Sequence, residues 1–167
     1  FNPAQRALWL RFLTPFLEDP DGAAARAADP IDIVNALKDW MDSGDAEAVS
    51  GLNGAESRFY RALDPPYVCP NRPPASVAEL RRVRGVTEDL FFGRGPRPGI
   101  ASFLSVYDTP AEGDGPAAGP PGRININTAP REVLAALLPE SEAALAEAFV
   151  DFRDNLAPAT LLDDPAW

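Results

Sequence analysis

Five carboxylates crowd one short stretch of this chain: Asp39, Asp42, Asp45 and Glu47 within KDWMDSGDAEAV, and Glu56 just after the turn Asn53-Gly54. Asp39 and Asp42 stand three residues apart, so on a helix they share a face. Carboxylates held close together repel one another unless they are solvated, protonated or bridged by a cation. A hard divalent ion with oxygen ligands, calcium above all, relieves that repulsion most economically. The spacing is not that of an EF-hand loop, whose glycine at position six and glutamate at position twelve have no counterpart here. Acids at a helix end before a glycine turn are equally the composition of a solvated surface. The residues alone leave both readings open.

The elements that must position these acids can be read around them. Asp29-Pro30 supplies an N-cap and a first-turn proline for a helix in which Ile31, Val34, Leu37, Lys38 and Met41 fall near helical spacing, with Trp40 as a bulky anchor at its end. Upstream, residues 5–17 (QRALWLRFLTPFL) predict a buried helix carrying Leu8, Leu10, Phe12, Leu13 and Phe16, which Pro15 kinks or ends. Asp19-Pro20-Asp21-Gly22 is a turn. Glu56 to Leu63 reads as a short helix with Phe59 and Tyr60, stopped by Asp64-Pro65-Pro66. A proline-studded loop from Tyr67 to Pro74 follows. Ser76 and Glu79 have capping-box spacing before a stripe of Val77, Leu80 and Val83. Gly85 then makes a tight turn into a short helix capped by Thr87 and running through Phe92.

Beyond that point GRGPRPG (93–99) reads as a basic loop, and 100–107 (IASFLSVY) alternates as a short strand. Residues 109–122, rich in Gly, Pro and Ala, predict a flexible linker or exposed loop between a first helical half (1–108) and a second (123–167). Arg123–Asn127 is expected to be a strand paired with Phe103–Tyr107 in a small antiparallel ribbon. Thr128 then caps a helix with Val133, Leu134, Leu137 and Leu138 facing inward, and Ser141 caps another with Leu145, Phe149 and Phe152 at helical spacing. Leu161, Leu162 and Trp167 close the chain in a final short helix. The expected fold is mainly α, in two related helical halves.

Composition narrows the functional classes. In 167 residues, 25 acidic against 15 basic side chains leave a net charge of -10, which disfavours a general nucleic-acid or anionic-membrane surface. There is no histidine, hence neither the commonest general base nor the commonest transition-metal ligand. A carboxylate pair could do acid-base work at a glycosidic bond, but the same acids serve a cation better, and no enzyme is expected. Cys69, the single cysteine, allows no internal disulfide and has no histidine to activate it. No run of 18 apolar residues appears. The stretches LRRVRGV and NTAPREVLAALLP each resemble half of a helix-hairpin-helix DNA-binding module. However, Gly85-Val86-Thr87 lacks the second hairpin glycine, and Glu140 stands where a phosphate would sit.

Several motifs fall in one order: Asp39-Trp40-Met41-Asp42; Gly54-Ala55-Glu56 with Tyr60; Pro65-Pro66-Tyr67; Asn71-Arg72-Pro73; Glu79-Leu80 through Gly85; and Asn125-Ile126-Asn127-Thr128-Ala129-Pro130 with Val133-Leu134. In this the chain resembles the periplasmic domain of the type II secretion minor pseudopilins of the general secretion pathway protein K family. The resemblance implies a sterile-alpha-motif-like helical domain inserted, in the full-length protein, into a pilin-like α/β fold. It implies a non-enzymatic role at the tip of the pseudopilus, on the periplasmic side of the inner membrane of a Gram-negative bacterium. There the domain would cap a short assembly with minor pseudopilins I and J, help to initiate it, and lie within reach of exported proteins. A methylation signal and a hydrophobic helix would precede this stretch and make the only membrane contact. The resemblance also implies structural calcium, with Asp39, Asp42, Asp45 and Glu56 as ligands and Asn71 as a neutral oxygen delivered by the proline loop. The transfer is most direct for Asp42 and Glu56. A helix-hairpin-helix-like DNA-binding module is the alternative.

Overall fold

The computed structural model describes residues 2–18, 28–42, 49–51, 53–106 and 124–155. In chain order the elements are α1 (Pro3–Leu17), α2 (Pro30–Met41), α3 (Ser57–Arg61), a 3₁₀ turn (Val77–Arg82), α4 (Glu88–Phe92), strands β1 (Gly93–Arg94) and β2 (Arg97–Pro98), a 3₁₀ turn (Ile100–Phe103), α5 (Arg131–Leu137), a 3₁₀ turn (Glu140–Glu142) and α6 (Leu145–Asp154). The described residues are therefore mainly helical, with one small antiparallel ribbon. The chain divides into two compact units, Phe1–Val106 and Tyr107–Trp167.

α2 is the axis of the first unit. The Asp29 carboxylate accepts the Ile31 amide at 2.9 Å, and Pro30 occupies the first turn, where its missing N–H goes unmissed. Ile33, Val34, Ala36, Leu37 and Trp40 are buried, and so are the polar Asn35 and Asp39. Ile31, expected on the inward stripe, is exposed; the buried face is centred on Ile33 and Leu37 instead. α1 continues past Pro15 to Leu17 and packs against α2, where Arg6 Nη1 donates to the buried Asn35 Oδ1 at 2.7 Å. Phe12 and Phe16 meet Phe103 with ring centroids 6.2 and 5.4 Å apart.

At the C-terminal end of α2, Trp40 sets its edge against Tyr60 (5.1 Å) and Tyr67 (6.2 Å), while Tyr60 and Tyr67 stack at 5.1 Å. Each such ring pair adds about 0.5–1.5 kcal/mol beyond its buried area. The expected capping box at Ser76 does not form. Glu79 accepts the Trp40 indole N–H at 3.2 Å and the Ala75 amide at 3.0 Å, and the segment winds as a 3₁₀ turn with no side-chain cap. The indole donor needed a partner once buried, and Glu79 is that partner. Gly85 adopts φ 86°, and a Cβ there would lie 2.8 Å from Ile33 Cγ1, so the turn requires glycine. Thr87 caps α4 as expected, accepting the Leu90 amide at 3.1 Å.

The ribbon lies elsewhere than expected. It forms within GRGPRPG, pairing Gly93 with Pro98 and Arg94 with Arg97, because Gly93 (φ 94°) and Gly95 (φ 59°) permit the tight reversal. Leu104–Val106 joins no strand ladder, and Ile124–Asn127 runs into a turn. The cause is local: Asn125 Oδ1 accepts the Asn127 amide at 2.9 Å, and its carbonyl accepts the Ala129 amide at 2.8 Å, which diverts the backbone from a strand. Tyr107 and Arg123, at the ends of that expected pairing, lie outside the described residues, as do the 109–122 tract and the final helix at Leu161, Leu162 and Trp167.

The second unit packs Ala129, Leu134 and Ala146 with Ile124, Ile126, Val133, Leu138, Phe149 and Val150. Arg153 Nη1 ties α6 to the preceding turn through the carbonyls of Ile126 (3.1 Å) and Ala129 (2.7 Å). Neither expected cap forms. The Thr128 hydroxyl turns back to the Asn125 carbonyl, leaving Pro130 before α5, and Ser141 lies inside a 3₁₀ turn, so that α6 begins after Ala144. α6 points Ala146, Phe149 and Val150 inward and leaves Leu145 and Phe152 56% and 61% exposed; on α5, Leu137 is also exposed.

Candidate metal centre

Three of the five candidate ligands are described carboxylates, and the structure brings all three together. Asp39, Asp42 and Glu56 each place one carboxylate oxygen within 4.8 Å of the others. Asp39 lies in the last turn of α2 and Asp42 is its C-cap residue. Glu56 is the residue immediately before α3. Asp39 and Glu56 are buried, both Glu56 oxygens being enclosed from solvent, whereas Asp42 is half-exposed at the rim.

The return of the chain to α2 is built from specific contacts. The Ser50 amide donates to both Asp39 oxygens, at 3.0 and 3.1 Å. Asn53 Nδ2 donates to Asp32 Oδ2 at 3.1 Å, one helical stretch up α2. Gly54 passes so close to Asp39 and Ser50 that a Cβ would collide with the Asp39 carboxylate. Arg84 Nη1 reaches the Asn53 and Gly54 carbonyls at 3.4 Å. On the other flank, the Cys69 amide donates to Ser57 Oγ (3.1 Å) and its thiol to the Ala55 carbonyl (3.5 Å), so the proline loop is fastened on both sides of Glu56. Asn71 follows two residues later at φ 49°, a left-handed conformation that asparagine tolerates. Its Oδ1 is buried, and among the described residues no donor reaches it. Asp45 and Glu47 lie outside the described residues.

The donor set fits a hard cation. Calcium–oxygen distances of about 2.3–2.6 Å allow ligand oxygens up to about 5 Å apart around one ion, which accommodates this triad; magnesium, at about 2.1 Å, demands a tighter and near-ideal octahedron. At 4.8 Å, two like charges repel by about 0.9 kcal/mol in a water-like medium and about 3.5 kcal/mol at an effective dielectric of about 20. Enclosing Asp39 and Glu56 beside Asp42 therefore sets up a local cost that a cation removes. A buried carbonyl oxygen such as that of Asn71 is the neutral ligand calcium accepts.

Sequence reasoning passed over Lys38 and Ser50. Lys38 Nζ lies 3.3 Å from Asp42 Oδ2 and 2.6 Å from Ser50 Oγ. The lysine's spacing of four residues from Asp42 was the visible signal; nothing in the sequence marked the Ser50 amide. The three arginines of LRRVRG are engaged within the first unit. Arg81 pairs with Glu88 at 2.7 Å and lies over Phe92, Arg82 lies over Tyr67, and Arg84 lies over Phe59.

The described residues thus form a helical unit in which three carboxylates converge from two segments of the chain. Comparison with known proteins identifies which kind. The family model described as "Type II secretion system (T2SS), protein K" matches residues 4–92, more than half of the chain, and a second model of the same description matches residues 124–162. The chain is 41% identical over 61 residues to type II secretion system protein K of Aeromonas hydrophila, covering 36% of this chain and 18% of the relative. It is 39% identical over 59 residues to that of Pectobacterium carotovorum subsp. carotovorum (35% and 17%), and 35% identical over 81 residues to that of Klebsiella pneumoniae (48% and 23%). Each match thus spans less than a quarter of the relative's length. The chain belongs to the type II secretion system protein K family. Among its described residues, no helix is long and apolar enough to cross a membrane.

Proposed function

We propose that this chain is the helical domain of a minor pseudopilin that caps the tip of the type II secretion pseudopilus and helps to initiate its assembly for export across the outer membrane. The observation that carries this reading is the family match over 4–92 and 124–162, in the same order as the motifs of the sequence. The domain acts on the periplasmic side of the inner membrane, assembling with minor pseudopilins I and J, and its bulk blocks addition of further subunits on the distal side. The mechanism is steric and adhesive; no reaction is catalysed.

Structural calcium at Asp39, Asp42 and Glu56, with Asp45 and Asn71 completing the shell, belongs to the same reading. Its support is the convergence of the three carboxylates from the end of α2 and the start of α3. The ion would supply no chemistry beyond charge neutralisation and cross-linking of α2 to the start of α3. A ligand that binds only the folded state at a hundredfold excess over its Kd adds about 2.7 kcal/mol. For a unit of this size that is a melting-temperature rise of roughly 10–20 °C. The test has two arms: thermal melts in EDTA, calcium and magnesium, and co-purification with the periplasmic domains of I and J. A calcium-selective rise and a stable complex are expected. No complex in calcium would remove the tip-capping role, and no calcium shift would remove calcium from the carboxylate cluster.

A further inference from the structure

Among the described residues, a positive charge lies against the carboxylate cluster. The Lys38 ammonium, in the last turn of α2, contacts both Asp42 Oδ2 (3.3 Å) and Ser50 Oγ (2.6 Å). Ser50 in turn gives its amide to both oxygens of the buried Asp39. Lys38 therefore touches one carboxylate of the triad and holds in place the residue that touches another. Its pairing with Asp42 runs with the lysine N-terminal to the acid, the weaker orientation for an i,i+4 pair, and both side chains are 36% exposed. The pair contributes little to the helix as such; its effect is felt at the cluster.

We infer that Lys38 is a resident counter-ion of this site and competes with a divalent cation for Asp42, thereby lowering the site's affinity. This rests on the reading of Asp39, Asp42 and Glu56 as a cation site. A calcium ion bound through Asp42 Oδ2 stands no more than about 6 Å from Lys38 Nζ. Repulsion between the two at that distance in a water-like dielectric weakens binding about tenfold. In the cation-free chain the same ammonium offsets part of the repulsion among the three carboxylates and keeps Ser50 against Asp39. Lys38 thus makes the fold less dependent on the ion and the ion easier to release.

The test is calorimetric titration of the chain with calcium chloride, wild type against K38M, K38R and S50A, with melts of each in EDTA. K38M is expected to bind calcium about tenfold more tightly and to melt lower than wild type in EDTA. K38R, which keeps the charge, stays near wild type, and S50A, which removes the tether and keeps the charge, changes affinity less than K38M does. Where K38M loses its cooperative melt in EDTA, K38Q, which retains a polar contact for Ser50, replaces it. A purely structural Lys38 would give the opposite sign, with K38M or K38Q binding calcium as wild type does or more weakly; that result overturns the inference and leaves the calcium site standing. Absence of calcium binding by the wild-type chain overturns both.

Discussion

Glu56→Gln separates charge from shape at the candidate metal centre. Glu56 is enclosed and sits within 4.8 Å of Asp39 and Asp42, so the substitution removes two of the three repulsive pairs while keeping the side-chain volume. Each pair is worth about 0.9 kcal/mol even in a water-like medium, and more where water is excluded, which puts the relief at about 2 kcal/mol or above. The new amide N–H can also donate to a neighbouring carboxylate, which the original glutamate could not. At roughly 4–8 °C per kcal/mol, the variant should melt about 10 °C higher than wild type in EDTA. In saturating calcium the order reverses. The ion loses a charged ligand, the calcium-dependent rise of the wild type largely disappears, and the two stability curves cross. Melts followed by circular dichroism in EDTA and in calcium read both limbs. A variant that melts below wild type in EDTA would show that the three carboxylates do not strain the cation-free fold. An unchanged calcium increment would show that Glu56 is not a ligand.

The other predictions concern the support of the site. Gly54→Ala would press a Cβ against the Asp39 carboxylate and within 2.6 and 2.8 Å of the Ser50 backbone O and N, atoms that cannot move aside without opening the loop. A cost of about 1–3 kcal/mol is expected, read as a lower urea midpoint at unchanged slope; a midpoint equal to wild type would mean the loop is not held as described. Burial raises the Tyr60 hydroxyl well above the ordinary tyrosine value of 10.0, and burial moves Tyr67 the same way. The unfolded chain then ionises first, so stability is complete below pH 10 and is lost as pH climbs above it. The loss is up to about 1.4 kcal/mol per pH unit for the buried Tyr60 and less for the partly exposed Tyr67, which solvent screens. Tyr60→Phe also loses the hydrogen bond from the Arg84 amide (3.1 Å), which lowers stability at every pH. The diagnostic is therefore the slope above pH 10, which should flatten; a slope equal to wild type would sink the assignment.

What the sequence made legible was whatever depends on neighbours along the chain. The Asp29-Pro30 start of α2, the Thr87 cap and the Gly85 turn all formed as read, because each is settled within a few residues. The acidic cluster was legible in part: Asp39 and Asp42 share a helix end, and Glu56 follows a turn. Misreadings arose where a distant partner outcompeted the local rule. Glu79 had the spacing to close a box with Ser76, but the buried Trp40 indole, 39 residues away, claimed it. On α6, Leu145 and Phe152 matched the helical period, yet the small Ala146 sits inward because α6 packs closely on the Ala129 turn. The ribbon was misplaced for the converse reason. Asn125 satisfied its neighbours locally, so Ile124–Asn127 could not extend, while two positive-φ glycines made a hairpin of a loop.

The same contrast explains why the cluster sits where it does. Beneath the end of α2, Trp40, Tyr60 and Tyr67 already hold α3 and the proline loop by apolar contact, with Tyr60 fully buried. Among the described residues of the return from Ser50 to Glu56, only the small Ala55 is a buried apolar side chain. The Ser50 amide on Asp39, the Asn53 side-chain amide on Asp32 and the Arg84 contacts to two carbonyls hold the backbone. Hydrogen bonds of this kind contribute about 1 kcal/mol each, and the repulsion of three converging carboxylates offsets much of that gain. On the proposed reading, a divalent ion would reverse the sign of that repulsion and leave the aromatic cluster untouched. Calcium depletion should then loosen the contacts of Ser50 and Asn53–Glu56 while α2, Tyr60 and Tyr67 stay packed. Native-state amide exchange can see that split. With calcium removed, the Ser50 amide should lose protection and the Leu37 amide should keep it. Equal loss at both would mean that the ion supports the whole first unit rather than the Ser50 contact alone.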